Sequence, residues 1–360
     1  MPHHLVVCLD DLAIQFCRVS SDQFIAIALP KAFVMTNPSP YAPANEALDS
    51  SPISNENGQA KPRIWPLFVI ALIELVAMIG VQIVMAVVVL LQKMSTGQNL
   101  QEAANNLPAE FMRPSIFILM IVLSQVISGL LIWFFAVLSA RRANCSLSER
   151  LGLGWPAISG YSFGLFMIGS VPVLLVSVAV VILIEKVWPG DQSVLELYRN
   201  LTTPWAVVFI IVIGVLPGFF EELSFRGFMQ RRLLQRFRPA VAIGITSVVF
   251  GLFHVSPHGI ALATIVGVWL GVIAWRTNSI WPGVFCHAFI NSGWNVYQVG
   301  KFHWGFPEIP STMFCIIGGT LTLAAFALSL KKLYSLRLHT TATPGTMGMT
   351  EQTLSSAGPA

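Results

Sequence analysis

Adjacent glutamates, Glu221 and Glu222, stand in the stretch LPGFFEELSFRGFMQRR, and Arg226 follows the second by four residues. A guanidinium at i+4 pairs with a carboxylate along one helix face. Glu221 then lies about 100° around a 3.6-residue helix and is left available as a general base. His254 follows in VVFGLFHVS, one turn after Phe250, and His287 and Asn291 share a face at i, i+4 in FCHAFINSGWN. A carboxylate with an imidazole can activate water, and an imidazole with an amide can stabilise an oxyanion. Together these are the parts needed to hydrolyse an acyl bond. Each motif also has a plainer reading. The acidic pair with Arg226 fits a charge cluster at the end of a membrane span, His254 an interfacial residue, and His287 with Asn291 a polar pair gluing helices. Glu74 and Gln125 read as helix contacts in the first two spans, and Asn295 lies one turn beyond Asn291.

The elements that must position these groups are set by composition. The 360 residues are 55% apolar and 11% charged, against about 25% charged in a soluble domain. The apolar residues come in uncharged runs of membrane-spanning length, which predicts an all-α polytopic membrane protein with about eight transmembrane helices. The runs are Ile64–Gln92, Ser115–Ala140, Tyr161–Ile184, Pro204–Gly227, Pro239–His254, Gly259–Trp275, Ile280–Val299 and Ser311–Leu330. The stretch from Pro239 to Trp275 is too long for one crossing and short for two, and is divided at the breaker Ser256–Gly259. Lysine and arginine placement supports that division. With both termini cytoplasmic, fourteen basic residues fall on inner segments and five on outer ones, as the positive-inside rule requires. The basic stretch RRLLQRFR reads as an amphipathic arm on anionic headgroups. In straight spans Glu221 falls toward the inner side and His254 toward the outer, so a shared site requires the fifth helix to start late and tilt, or a shifted boundary.

Residues 1–62 read as a weakly structured segment, rich in Pro, Ser and Asn after Met35, and 338–360 as an unstructured tail. They flank a membrane domain over 63–337. Met35 is a second candidate translation start, which N-terminal sequencing would test. Five scattered cysteines give no disulfide framework and no CxxC. The net charge of +4 reflects loop asymmetry, so no nucleic-acid partner is expected. The sequons at Asn144 and Asn200 read as chance matches. No internal repeat of the kind transporters carry is evident.

The ordered set EExxxR (Glu221, Glu222, Arg226), FxxxH (Phe250, His254) and HxxxN (His287, Asn291) resembles the CAAX prenyl protease and bacteriocin-processing (CPBP, or ABI) family of intramembrane proteases. The resemblance covers about 204–299, a four-helix catalytic core. It implies a membrane endopeptidase acting on a peptide or membrane-protein substrate within or beside the bilayer, including CAAX-type processing. Glu221 would activate water, supported by Glu222 and Arg226. His254 would bind and polarise that water, and His287 and Asn291 would stabilise the oxyanion. The family has been described both as zinc-dependent and as metal-independent. A zinc version would use Glu221, His254 and His287, two histidines and a glutamate with one position open. There is no HExxH. Two other classes remain: a non-catalytic membrane scaffold of the same fold, and a proton- or cation-coupled transporter that uses the buried Glu and His groups.

Overall fold

A backbone in lipid must satisfy its own polar groups, so an uncharged run of spanning length folds as a helix. Each of the eight runs does so in the computed structural model of the chain, which describes residues 63–190, 193–307 and 312–336. The expectations for residues 1–62 and 338–360 lie outside the described residues, among which there is no strand. Helix α1 (Trp65–Ser95) packs on α3 (Pro114–Ala143), with α2 (Leu100–Phe111) between them in sequence. The five-residue α4 (Leu147–Leu151) opens with a full capping box from Ser146 and Glu149. The third run breaks at Ser170 into α5 (Gly160–Gly169) and α6 (Val171–Val187), because Pro172 cannot continue the ladder. Next comes the short α7 (Ser193–Asn200), and then α8 (Thr203–Glu221). This helix widens into a π-helical stretch, Glu222–Gln230, and closes as α9 (Arg231–Leu233). Last come α10 (Pro239–Leu252), α11 (Pro257–Thr277), α12 (Trp281–His303) and α13 (Thr312–Ser335).

Six of these helical courses are long and apolar enough to cross a membrane. The chain is a multi-pass membrane protein, with large apolar side chains such as Leu72, Val76, Ile83 and Leu91 exposed along α1. The other two runs fall short for different reasons. Helix α10 has only 14 residues. Helix α12 has 23 but is interrupted by His287, Asn291, Asn295 and Lys301.

Two apolar clusters hold the bundle. Phe166, Trp269, Leu270, Ile273, Cys286, Ile290 and Leu333 join α5, α11, α12 and α13. Ile118, Leu197, Tyr198, Phe209 and Val299 join α3, α7, α8 and α12. Helix α8 packs mainly on α12, and α10 on α11. Gly218 makes the first contact close: a Cβ there would lie 3.0 Å from the Ala288 backbone nitrogen. Small residues give helix backbones this kind of approach in membranes.

The depth conflict between Glu221 and His254 disappears in this fold. The fourth course does not end at Gly227 but continues to Leu233. It descends about 18 Å past Glu221, taking 1.5 Å per residue. Helix α10 then climbs back by about 21 Å and ends just before His254. Neither a late start nor a headgroup arm is needed. Leu233 and Leu234 are fully buried, and Arg231 donates from Nη1 to Asn278 Oδ1 (2.7 Å) and from Nη2 to the Glu149 carbonyl (3.0 Å). The stretch proposed as an interfacial arm is packed into the bundle.

Candidate active site

The two glutamates diverge in role because α8 passes into a wider helix between them. Glu222 is fully buried. Its Oε1 accepts from Arg226 Nη1 at 2.7 Å and faces His287 Nδ1 at 3.0 Å. Gly283 makes room for the same carboxylate; a Cβ there would sit 2.8 Å from Glu222 Oε2. Arg226 also donates from Nη2 to the Gly267 carbonyl at 3.0 Å, and its Cζ lies 4.5 Å from the centre of the Phe250 ring. A buried ion pair needs such added partners to offset its desolvation, and a desolvated cation–π contact is one of them. The expected Glu222–Arg226 pair therefore forms, and it ties the π-helical stretch to α10, α11 and α12.

Glu221 faces open space instead. Its Oε1 accepts from Gln125 Nε2 at 3.0 Å, and its Oε2 is 3.7 Å from His287 Nε2. His287 is thus held between the acids, with one ring nitrogen on each. If Nδ1 donates to Glu222, Nε2 is the nitrogen turned toward Glu221 and the cavity.

That cavity measures about 380 Å³ and is lined by Glu221, His254, His287, Asn291 and Phe250. The residues picked from three separate motifs meet on one space, contributed by α8, by α10 with the turn after it, and by α12. Glu222 and Arg226 lie behind the wall rather than in it. His254 Nδ1 is 3.2 Å from the Phe250 carbonyl, and the two rings meet edge to face with centroids 5.2 Å apart. The His254 ring is thereby fixed against α10. The next residue, Val255, has φ +59°, a left-handed conformation unusual for a β-branched residue. The chain accepts it within the four residues, Phe253 to Ser256, that leave α10 and lead into α11 at Pro257.

Asn291 makes one long side-chain bond, Nδ2 to the Ile213 carbonyl at 3.5 Å, at the edge of useful geometry. Its backbone carbonyl accepts from Asn295 Nδ2 at 2.7 Å, and Asn295 Oδ1 accepts from the Tyr198 hydroxyl at 2.6 Å.

Three groups read from sequence as ordinary contacts, or not read at all, belong to this cavity: Glu74, Gln125 and Tyr198. Glu74 Oε1 accepts from Ser224 Oγ at 2.9 Å and from the Ser128 hydroxyl. Their polarity inside a span was visible, but partners 96 and 150 residues away in the chain leave no local spacing signal. Among the described residues no three His, Cys, Asp or Glu side chains converge on a point that could hold a metal ion.

Comparison with known proteins agrees with the motif reading. Residues 203–293 match the family described as Rce1-like, the type II CAAX prenyl endopeptidase Rce1-like group. The YdiL protein of Bacillus subtilis (strain 168), named provisionally as a membrane peptidase, is 25% identical over 130 residues. That match takes in 36% of this chain and 51% of YdiL, so the chain spans about half the length of this relative. No solved structure matches.

Proposed function

We propose that the chain is an intramembrane endopeptidase in which Glu221 activates water for attack on a peptide carbonyl. The observation that carries this reading is the lining of one cavity by Glu221, His254, His287 and Asn291. Glu221 takes the proton of a water that His254 orients from across the cavity. Attack on the substrate carbonyl gives a tetrahedral oxyanion, and Asn291 Nδ2, weakly engaged at home, donates to it. The proton on Glu221 passes over the 3.7 Å separation to His287 Nε2. The resulting imidazolium, anchored through Nδ1 on Glu222, donates to the oxyanion and then protonates the leaving amine. A positioned base and a donor to the oxyanion are each worth about 10²- to 10³-fold in rate. The finer reading, a CAAX-type substrate, is supported by the description of the matched family. The asymmetry of basic residues supports an orientation with both termini cytoplasmic.

The test is proteolysis by protein reconstituted in vesicles, with prenylated and unprenylated CAAX peptides as substrates. Glu221→Gln should cut turnover by on the order of 10²-fold or more while leaving yield and melting temperature unchanged. Activity that survives chelation supports water activation by Glu221 alone, and loss restored by added zinc argues for a metal. Wild-type turnover in Glu221→Gln would overturn the assignment to Glu221, whereas no proteolysis by the wild-type chain would leave the scaffold reading.

A further inference from the structure

A second cavity of about 470 Å³ lies farther along the same pair of helices, and it shares no lining residue with the first. Four arginines border it: Arg63 before α1, Arg142 at the end of α3, Arg150 in α4 and Arg232 in α9. Trp65 and Phe135 supply part of an apolar wall. None of the four guanidinium groups forms an ion pair among the described residues. The contact recorded for Arg232 is a long one, 3.5 Å from Nη1 to Ser139 Oγ. The carboxylate closest in sequence, Glu149, is committed elsewhere: its Oε2 accepts from both the backbone nitrogen and the hydroxyl of Ser146, each at 3.0 Å. Burial, then the neighbouring Arg232 and Arg231 against an opposing effect of Cys145, pushes the Arg150 guanidinium down to about 10.

The position along α1 says what kind of anion fits. Arg63 is eleven residues before Glu74, so at 1.5 Å per residue it lies about 16 Å from the catalytic cavity. That is half of a hydrocarbon core roughly 30 Å thick, so the arginines sit at headgroup depth if Glu74 sits near mid-membrane. The apolar wall runs into the exposed face of α1 at Trp65, Val69 and Leu72, the face that acyl chains cover. A soluble anion would need the charges but not the wall.

We propose that this cavity binds an acidic phospholipid, with its phosphate on Arg63, Arg142, Arg150 and Arg232 and its chains along the apolar face of α1. The test uses the full chain in detergent, titrated with phosphatidylglycerol, phosphatidylcholine or glycerol 3-phosphate and read by native mass spectrometry. Phosphatidylglycerol should bind saturably and phosphatidylcholine should not. Arg63 and Arg142 are exposed at helix ends, so Arg63→Gln/Arg142→Gln keeps the fold. At about a factor of five per charge, that variant should lose roughly thirtyfold in affinity, and Arg63→Lys/Arg142→Lys should recover most of it. Equal binding of phosphatidylcholine, unchanged affinity in the Gln variant, or displacement of the lipid by glycerol 3-phosphate alone would each overturn the proposal.

Discussion

The two cavities between α1 and α3 treat charge in opposite ways. In the catalytic one every ionisable group has a partner from the same chain: Glu222 holds Arg226 and His287, and Gln125 holds Glu221. In the arginine-lined one no carboxylate among the described residues pairs with the four guanidinium groups. With Glu74 near mid-membrane, as the lipid proposal has it, the difference follows from depth. At the bilayer centre nothing outside the protein can satisfy a polar group, so the chain must supply both partners. At the interface, water and headgroups can complete what the protein leaves open. On these two proposals, the closed network is where the chain does its own chemistry, and the open one is where it takes a ligand.

The sharpest way to break this comparison is to open the closed network. Glu222→Ala would leave the buried Arg226 charge without its carboxylate, and removing one partner of a buried pair costs about 3–5 kcal/mol. Yield and melting temperature should fall together with activity. Glu221→Gln should affect activity alone. If both variants behaved alike in a melting experiment, the division between a structural and a reacting glutamate would fail.

A smaller effect is expected one step out. Gln125 donates its amide to Glu221 Oε1, which leaves Oε2 as the oxygen facing His287. A hydrogen bond to a charged group contributes about 1.5–3 kcal/mol, and here it would act on orientation. Gln125→Ala should lower turnover about tenfold or more with KM unchanged and the fold intact, and Gln125→Asn should recover part of the loss. An equal fall in thermal stability would reduce Gln125 to a packing residue.

These distinctions mark how far the sequence could be read. The spans were legible because apolar run length encodes a crossing almost directly; all eight runs became helices with ends shifted by a few residues. The residues of the candidate site were legible as types because i, i+4 spacing puts Glu222 with Arg226 and His287 with Asn291 on shared helix faces. The meeting of Glu221 with His254 was not. Arg226 looked like the end of a span, whereas a paired and buried arginine is no boundary, and the fourth helix runs on past it to Leu233. Gln125 and Glu74 showed their polarity but not their purpose, since their partners lie far away in the chain. The same holds for the arginine cavity. Its members were counted as topology signals, and only the fold brings residues 63, 142, 150 and 232 together.

The opposite end of α1 offers the mildest test, because there the same kind of cation is paired. Lys93 Nζ lies 2.6 Å from Glu110 Oε1, and Arg113 Nη1 lies 2.9 Å from Oε2. The Lys93 contact, followed by that with Arg113, holds the Glu110 carboxyl below its ordinary value of 4.5 against the opposing effect of burial. A carboxyl whose value is lower in the folded state than in the unfolded one binds fewer protons when folded. Its contribution to stability is therefore present above pH 4.5 and fades as the pH falls through the folded value. Arg113 is largely exposed, so the gain is small, at most about 1 kcal/mol. Glu110→Gln should melt slightly below wild type at pH 7, and the gap should close in acid below pH 4.5. A gap unchanged down to pH 3 would mean that Glu110 stabilises by packing, and that this end of the helix is no charged counterpart to the arginine cavity.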